Sequence, residues 1–104
     1  MRKQYRTRHG FPYVTPRTKQ WRLTTSLNWF TSDFKPQRLL IPSLIGTQRT
    51  VLIRGLRRVD WRRPIFVVRI AGKNYIRDGH HRAERARLRG QKTIASWVLD
   101  LSIE

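Results

Sequence analysis

Apolar residues fall into readable periods only from Arg38 onward. Leu39-Leu40-Ile41 is a short apolar run halted by Pro42, which predicts a brief buried strand. After Gly46, Thr47 fits the N-cap of a helix reaching about Arg58. Val51, Leu52 and Leu56 would lie on its inner side, and Arg49, Arg54, Arg57 and Arg58 on the remaining surface. Pro64 to Ile70 reads as a strand. Ala71-Gly72-Lys73-Asn74 then forms a hairpin loop, and Tyr75-Ile76-Arg77 returns antiparallel. A helix over Gly79 to Arg89 is closed by Gly90, and Thr93 to Leu99, rich in β-branched and aromatic residues, is a final strand. At 100° per residue, Ala83, Ala86 and Gly90 share a small-residue face suited to packing on a sheet, with Arg82, Arg85 and Arg89 along its edge. The pattern predicts a small α+β domain, with sheet and helices in two layers.

The first part of the chain lacks such periods. Up to about Gln20 it carries Arg2, Lys3, Arg6, Arg8, Arg17 and Lys19, punctuated by Gly10, Pro12 and Pro16 and without an acid before Asp33. This is a basic arm, ordered on a partner. Tyr5, Phe11, Tyr13 and Trp21 are interleaved with the cations, which suits either stacking on single-stranded nucleic acid or anchoring of the arm to the domain. Trp21 to Phe34 is compatible with a short helix or a strand. The organisation expected is an arm and extension over 1–37 and a folded domain over 38–104.

Charge sharpens this picture. Among 104 residues there are 23 Lys and Arg against 6 Asp and Glu, a formal net charge of +17. Only Lys3, Lys19, Lys35, Lys73 and Lys92 are lysines, so arginine dominates. Guanidinium forks bind phosphate bidentately and stack on bases, so the balance favours a nucleic-acid partner over an acidic protein. With no cysteine, disulfides, thiolate metal sites and a cysteine nucleophile are excluded. No apolar run approaches the roughly 18 residues of a membrane span, and no signal peptide precedes the basic start. The expectation is a cytoplasmic protein of a prokaryotic or phage-infected cell, without a membrane partner.

Asp78-Gly79-His80-His81-Arg82 concentrates the candidate chemistry. A strand turning sharply into a helix through Gly79 directs backbone N–H groups outward, at the positive end of the helix dipole, where a phosphate oxygen fits. His80 and His81 add an acid or base, and Arg82 a fixed cation. A plainer reading makes Asp78 an N-cap and the rest a solvated first turn. His80 and Glu84, four apart, share a helix face near Asp78. They offer too few ligands for zinc, whereas Mg²⁺ or Mn²⁺ shared with a substrate phosphate is the plausible cofactor. The carboxylates are too scattered for paired-acid catalysis.

The order strand, hairpin, strand, Asp78-Gly79-His80-His81-Arg82, alanine-bearing helix, Gly90, Thr93-Ile94-Ala95 and closing strand resembles the ParB-like nuclease domain of the ParB/sulfiredoxin superfamily. Upstream, Leu39-Leu40-Ile41 and Leu44-Ile45-Gly46-Thr47-Gln48 with Val51 are similar to the strand and Pro-Thr-Gln-type helix start of that family, Gly46 standing where proline is common. The resemblance spans about Leu39 to Leu101 and implies a ParB/sulfiredoxin-like fold. His80 occupies the place of the sulfiredoxin catalytic cysteine, which excludes that activity. Of the Gly-Glu-Arg-Arg motif of CTP-binding members, only Gly79 and Arg82 match. Arg85 stands where a small alanine is usual, and no helix-turn-helix domain follows.

The resemblance and the charge together imply a nucleic-acid-binding module, DNA favoured, with a nicking or cleaving nuclease activity open. In that scheme Gly79, Arg82, Thr47 and Gln48 hold a phosphate, and His81, with His80 and Asp78, carries acid–base chemistry. Arg85, Arg89 and the arm cations Arg2, Lys3, Arg6, Arg8, Arg17 and Lys19 grip the backbone. Two other classes stay open. One is a non-enzymatic phage or mobile-element protein that binds an acidic host protein. The other is a switch or kinase that binds CTP, ATP or ADP.

Overall fold

In the computed structural model, which describes residues 5–17, 21–22 and 35–101, the elements run in the following order. Strand β1 (Arg6–Arg8) is followed by β2 (Gln37–Leu40), a 3₁₀ turn (Ile41–Ser43), β3 (Leu44–Ile45) and β4 (Thr50–Leu52). Helix α1 (Ile53–Arg58), β5 (Ile65–Ile70), β6 (Lys73–Asp78), α2 (His80–Leu88) and β7 (Thr93–Asp100) complete a mixed α+β domain. Five strands form one sheet in the order β2-β7-β5-β6-β3, and β1 pairs with β4 in a separate antiparallel ribbon. Within the large sheet, β5 runs parallel to β7 and antiparallel to β6, and β3 runs parallel to β6.

The core follows from alternation along these strands. Ile94, Ser96 and Val98 of β7 point inward, joined by Ile65 and Val67 of β5 and Ile76 of β6. Ala83 and Ala86 of α2 are fully buried in the same cluster, so the small-residue face does seat the helix on the sheet. Two buried polar side chains are satisfied. Asn74 accepts from Arg69 Nε at 2.8 Å and donates to Ser43 Oγ at 3.2 Å, and Ser96 Oγ donates to the Ile94 carbonyl.

Two sequence expectations are corrected. The helix drawn from Thr47 to Arg58 exists only over Ile53–Arg58. The β-branched Thr50 and Val51 instead extend as β4, because β1 supplies a partner for their backbone: Arg6, Thr7 and Arg8 pair with Leu52, Val51 and Thr50. Thr47 is no cap; its hydroxyl donates to the Ile76 carbonyl at 2.6 Å, and helix α1 starts without a side-chain cap. The second correction concerns the arm. Residues 5–14 belong to the fold, since β1 is paired, Phe11 lies in the core, and a bridge at Tyr13 and Gly46 is made by Val14 N–H donating to the Gly46 carbonyl and Gly46 N–H donating to the Pro12 carbonyl. The expected boundary at 37/38 is therefore crossed by core packing. Most of the ambiguous Trp21 to Phe34 stretch lies outside the described residues, as do Arg2, Lys3 and Lys19.

The β5–β6 hairpin turns on just two residues, Ala71 and Gly72, with φ of 51° and 76°. Two positive φ values in a two-residue loop match the twist of the flanking strands, but the first falls on an alanine. An L-residue with a Cβ in that region costs roughly 1 kcal/mol, which asparagine relieves through its local hydrogen bonding. Ala71 is exposed, so nothing else changes on substitution. Ala71→Asn is expected to raise stability by about 1 kcal/mol in urea denaturation, and Ala71→Val to lower it.

Candidate functional site

The corner between β6 and α2 has no linker: Asp78 ends the strand and His80 begins the helix. Gly79 makes the turn with φ of 105°, where a Cβ would also lie 2.7 Å from Ile65 Cγ2. Glycine is required here by both backbone and packing. Gly79, not Asp78, is the N-cap residue, and no side chain caps this end. Asp78 is exposed at the strand terminus. Beside it, β6 carries one more residue than β5 between Phe66 and Val67, leaving Arg77 as the extra residue of a bulge.

The imidazoles after this corner face inward. His80 is buried, and its Nε2 accepts the Thr47 backbone N–H at 2.9 Å. His81 Nε2 accepts the Leu52 N–H at 3.1 Å. A third histidine, His9, accepts the Phe11 N–H on Nδ1 at 3.2 Å and donates from Nε2 to the Gln48 carbonyl. Its ring lies 5.9 Å from that of His80. Each imidazole thus supplies the acceptor for a backbone N–H. Gly55 makes room for one of them, since a Cβ there would sit 2.4 Å from His81 Cδ2.

Burial favours the uncharged form of two of these rings, His80 and His81. Burial pushes the His80 pKa down to about 4, with the neighbouring His9 and His81 acting in the same direction. His81 is lowered as well, first by burial and then by the Arg6 guanidinium, with Asp78 opposing. The lone pair that a general base would use is, in both residues, already engaged by a backbone donor. Thr47 offers its N–H and its hydroxyl to protein acceptors, while Gln48 donates its side-chain amide to the Thr50 carbonyl and holds His9 through its own carbonyl. The predicted phosphate pair Thr47 and Gln48 therefore adjoins His80 and His9 as part of an internal network.

Glu84, nearly fully buried, is bound by Arg87 through both carboxylate oxygens, at 2.6 and 3.0 Å, and accepts the Gly10 N–H at 3.1 Å. The Gly10 bond ties the amino-terminal segment to α2, and the bonds between the Arg87 guanidinium and the Glu84 carboxylate raise the Arg87 pKa. The donor set does not fit the expected Mg²⁺ or Mn²⁺: Glu84 is saturated, His80 Nε2 is engaged, and Asp78 alone is exposed. Among the described residues no three His, Asp or Glu side chains are grouped to hold a metal ion.

The arginines divide by role. Arg82 is half-buried, and its Nη1 donates to the Pro64 carbonyl at 2.9 Å, fastening the loop before β5 to α2. One and two turns further on, Arg85 and Arg89 line a cleft of about 440 Å³ together with Arg57, Val59, Asp60, Trp61 and Arg62. Arg89 places its guanidinium 5.6 Å from the centre of the Trp61 ring. Asp60 accepts both the backbone N–H and Nε of Arg62, which folds the turn and holds its carboxyl below the usual range. Arg57, Arg62 and Trp61 were not foreseen as site residues. The signal was present, since Asp60-Trp61-Arg62-Arg63 interleaves an aromatic with cations just after a cationic helix.

On the β1–β4 ribbon, Arg6 and Arg8 are exposed on one face, with Arg6 Nη1 donating to Thr50 Oγ1 at 3.3 Å. Arg17 is exposed. The interleaved aromatics also separate: Phe11 is core, Trp21 packs edge-on against Tyr75 beneath Arg77, Tyr13 lies under Arg49, and Tyr5 is open to solvent. Among the described residues no helix is long and apolar enough to cross a membrane. No protein family, curated protein or solved structure matches this chain.

The buried imidazoles make stability pH-dependent. The folded-state pKa of His80, about 4, lies below its ordinary 6.5, so the unfolded chain takes up the proton first. This contribution is complete above pH 6.5, declines as pH falls towards 4, and changes no further below that. The loss is on the order of 3 kcal/mol for His80 alone. Urea midpoints measured across that window are expected to fall with acidification, and less steeply in His80→Gln, whose amide oxygen accepts but does not titrate.

Proposed function

We propose that this chain is a nucleic-acid-binding module, with DNA as the favoured partner, that binds without cutting. The observation that carries the reading is the concentration of guanidinium groups where α1 meets the far end of α2. Arg57, Arg62 and Arg89 are exposed there and Arg85 half-exposed, with Asp60 the acid within the cleft, itself bonded to Arg62, and Arg54, Arg58 and Arg63 are exposed on α1 and the turn that follows it. Elsewhere Glu84 and Asp100 pair with Arg87 and Arg69, and the remaining described acid, Asp78, is exposed at the end of β6. With 23 cations and 6 acids in the chain, most of this charge has no internal counterpart, and phosphate neutralisation with counterion release is the chemistry such a surface supports. The run of β5, β6, Gly79, α2 and β7 supports the ParB/sulfiredoxin-like reading of the domain. The engagement of both Nε2 lone pairs favours binding over cleavage, with His80 and His81 as positioning residues for the β3–β4 segment.

Fluorescence anisotropy with a labelled duplex tests this. Affinity should fall linearly on a log–log plot against salt, and replacing Arg57, Arg85 and Arg89 by Gln should weaken binding. The slope should become shallower by about one for each phosphate contact removed. Supercoiled plasmid should stay intact in Mg²⁺ or Mn²⁺. Nicking that His81→Gln abolishes would overturn the non-cleaving part, and salt-resistant capture of an acidic protein in place of DNA would overturn the whole reading.

A further inference from the structure

The cleft between α1 and α2 holds more than charge. Its floor includes Trp61, which packs against the hydrophobic core and carries the Arg89 guanidinium over its ring. Arg57, Arg62 and Arg85 surround this pair. Arg82, bonded to the Pro64 carbonyl, and Asp60, bonded to Arg62, fix the turn that presents the indole, so the platform is set before any ligand arrives. A phosphate alone would use the arginines and gain nothing from the ring. A paired base presents only its edges, because its faces are stacked inside the duplex. An unpaired base presents a flat face, which indole and guanidinium planes both stack against. The cleft, about 440 Å³, falls within the range of small-ligand clefts.

From this geometry we infer that the cleft is a site for one unpaired nucleotide of a single strand, its base stacked on the Trp61–Arg89 platform and its phosphates held by Arg57, Arg62 and Arg85. This deepens the nucleic-acid-binding reading and rests on it. Single-stranded segments are therefore preferred to duplex at this site, whereas the remaining arginine surface treats the two alike.

Two substitutions isolate the stacking contribution. Arg89→Lys keeps the charge and, being at an exposed position, leaves the core untouched, yet removes the planar group. Trp61→Leu removes the ring, and its fold is checked by circular dichroism. Affinities are measured for a short single-stranded oligonucleotide, an abasic strand of equal length, a duplex, and a free mononucleotide as competitor. Wild type should bind the single strand roughly tenfold more tightly than the abasic strand. Both variants should lose most of that advantage, and in Trp61→Leu the duplex affinity and the salt slope should stay unchanged. Displacement of the strand by free mononucleotide would show that the site needs only one nucleotide, and absence of competition that it needs the continuous strand; either supports an unpaired-base site if the abasic strand binds more weakly. Equal binding of abasic and ordinary strands, or equal losses on duplex and single strand in Trp61→Leu, would overturn the stacking site while leaving the arginine surface intact. Failure of the wild type to bind any of these ligands would overturn both readings.

Discussion

The fold depends on keeping His80 and His81 uncharged inside a protein that is strongly cationic everywhere else. His9, His80 and His81 converge where the amino-terminal segment, the β3–β4 connection and the start of α2 meet, and each accepts a backbone N–H that would otherwise be unpaired at that junction. A protonated ring could not accept, and would add a positive charge beside Arg6 and beside the positive end of a helix. The residues that look most like reactive groups in the sequence thus serve first as neutral acceptors for main chain. The corner is compact because Gly79 does the turning and Gly55 leaves room for the His81 ring.

Much of the fold was legible from the chain. Alternation and β-branching marked β5, β6 and β7, and Ala83, Ala86 and Gly90 marked the buried face and the stop of α2, where Gln91 and Gly90 return hydrogen bonds to Ala86 and Arg87. What failed was local reading of a non-local partnership. Val51, Leu52 and Leu56 fit a helical spacing, but whether Thr50–Leu52 coils or extends is decided by β1, more than forty residues earlier in the chain. Likewise the sequence around Phe11 leaves stacking and anchoring equally open, because its neighbours are the polar and proline-rich residues of an apparent arm, and only the packing settles that it reaches the core.

The candidate site was legible in type but displaced in position. Arginine-rich composition pointed to phosphate, and the line Arg82, Arg85, Arg89 lay along one helix edge as drawn. The structure divides that line, with Arg82 fastening a loop and the other two opening onto a cleft whose far wall comes from α1 and the turn at Trp61. A motif reading weights residues by chemistry and neighbours in sequence. It has no access to the packing of α1 against α2, which is what brings Arg57 opposite Arg85.

The hydrogen bond from Gly10 to Glu84 joins residues 74 positions apart, and β1 joins β4 across a similar gap in kind if not in length. The earliest-made part of the domain is therefore completed by one of its latest parts. During synthesis, Phe11 and His9 emerge long before α2 exists to receive them, so the core cannot close until α2 and β7 have left the ribosome. Such long loop closures slow folding relative to a helical protein of equal size. They also make the finished domain a single cooperative unit, in which loosening the amino-terminal segment strips a partner from the buried Glu84 carboxylate at the centre of α2.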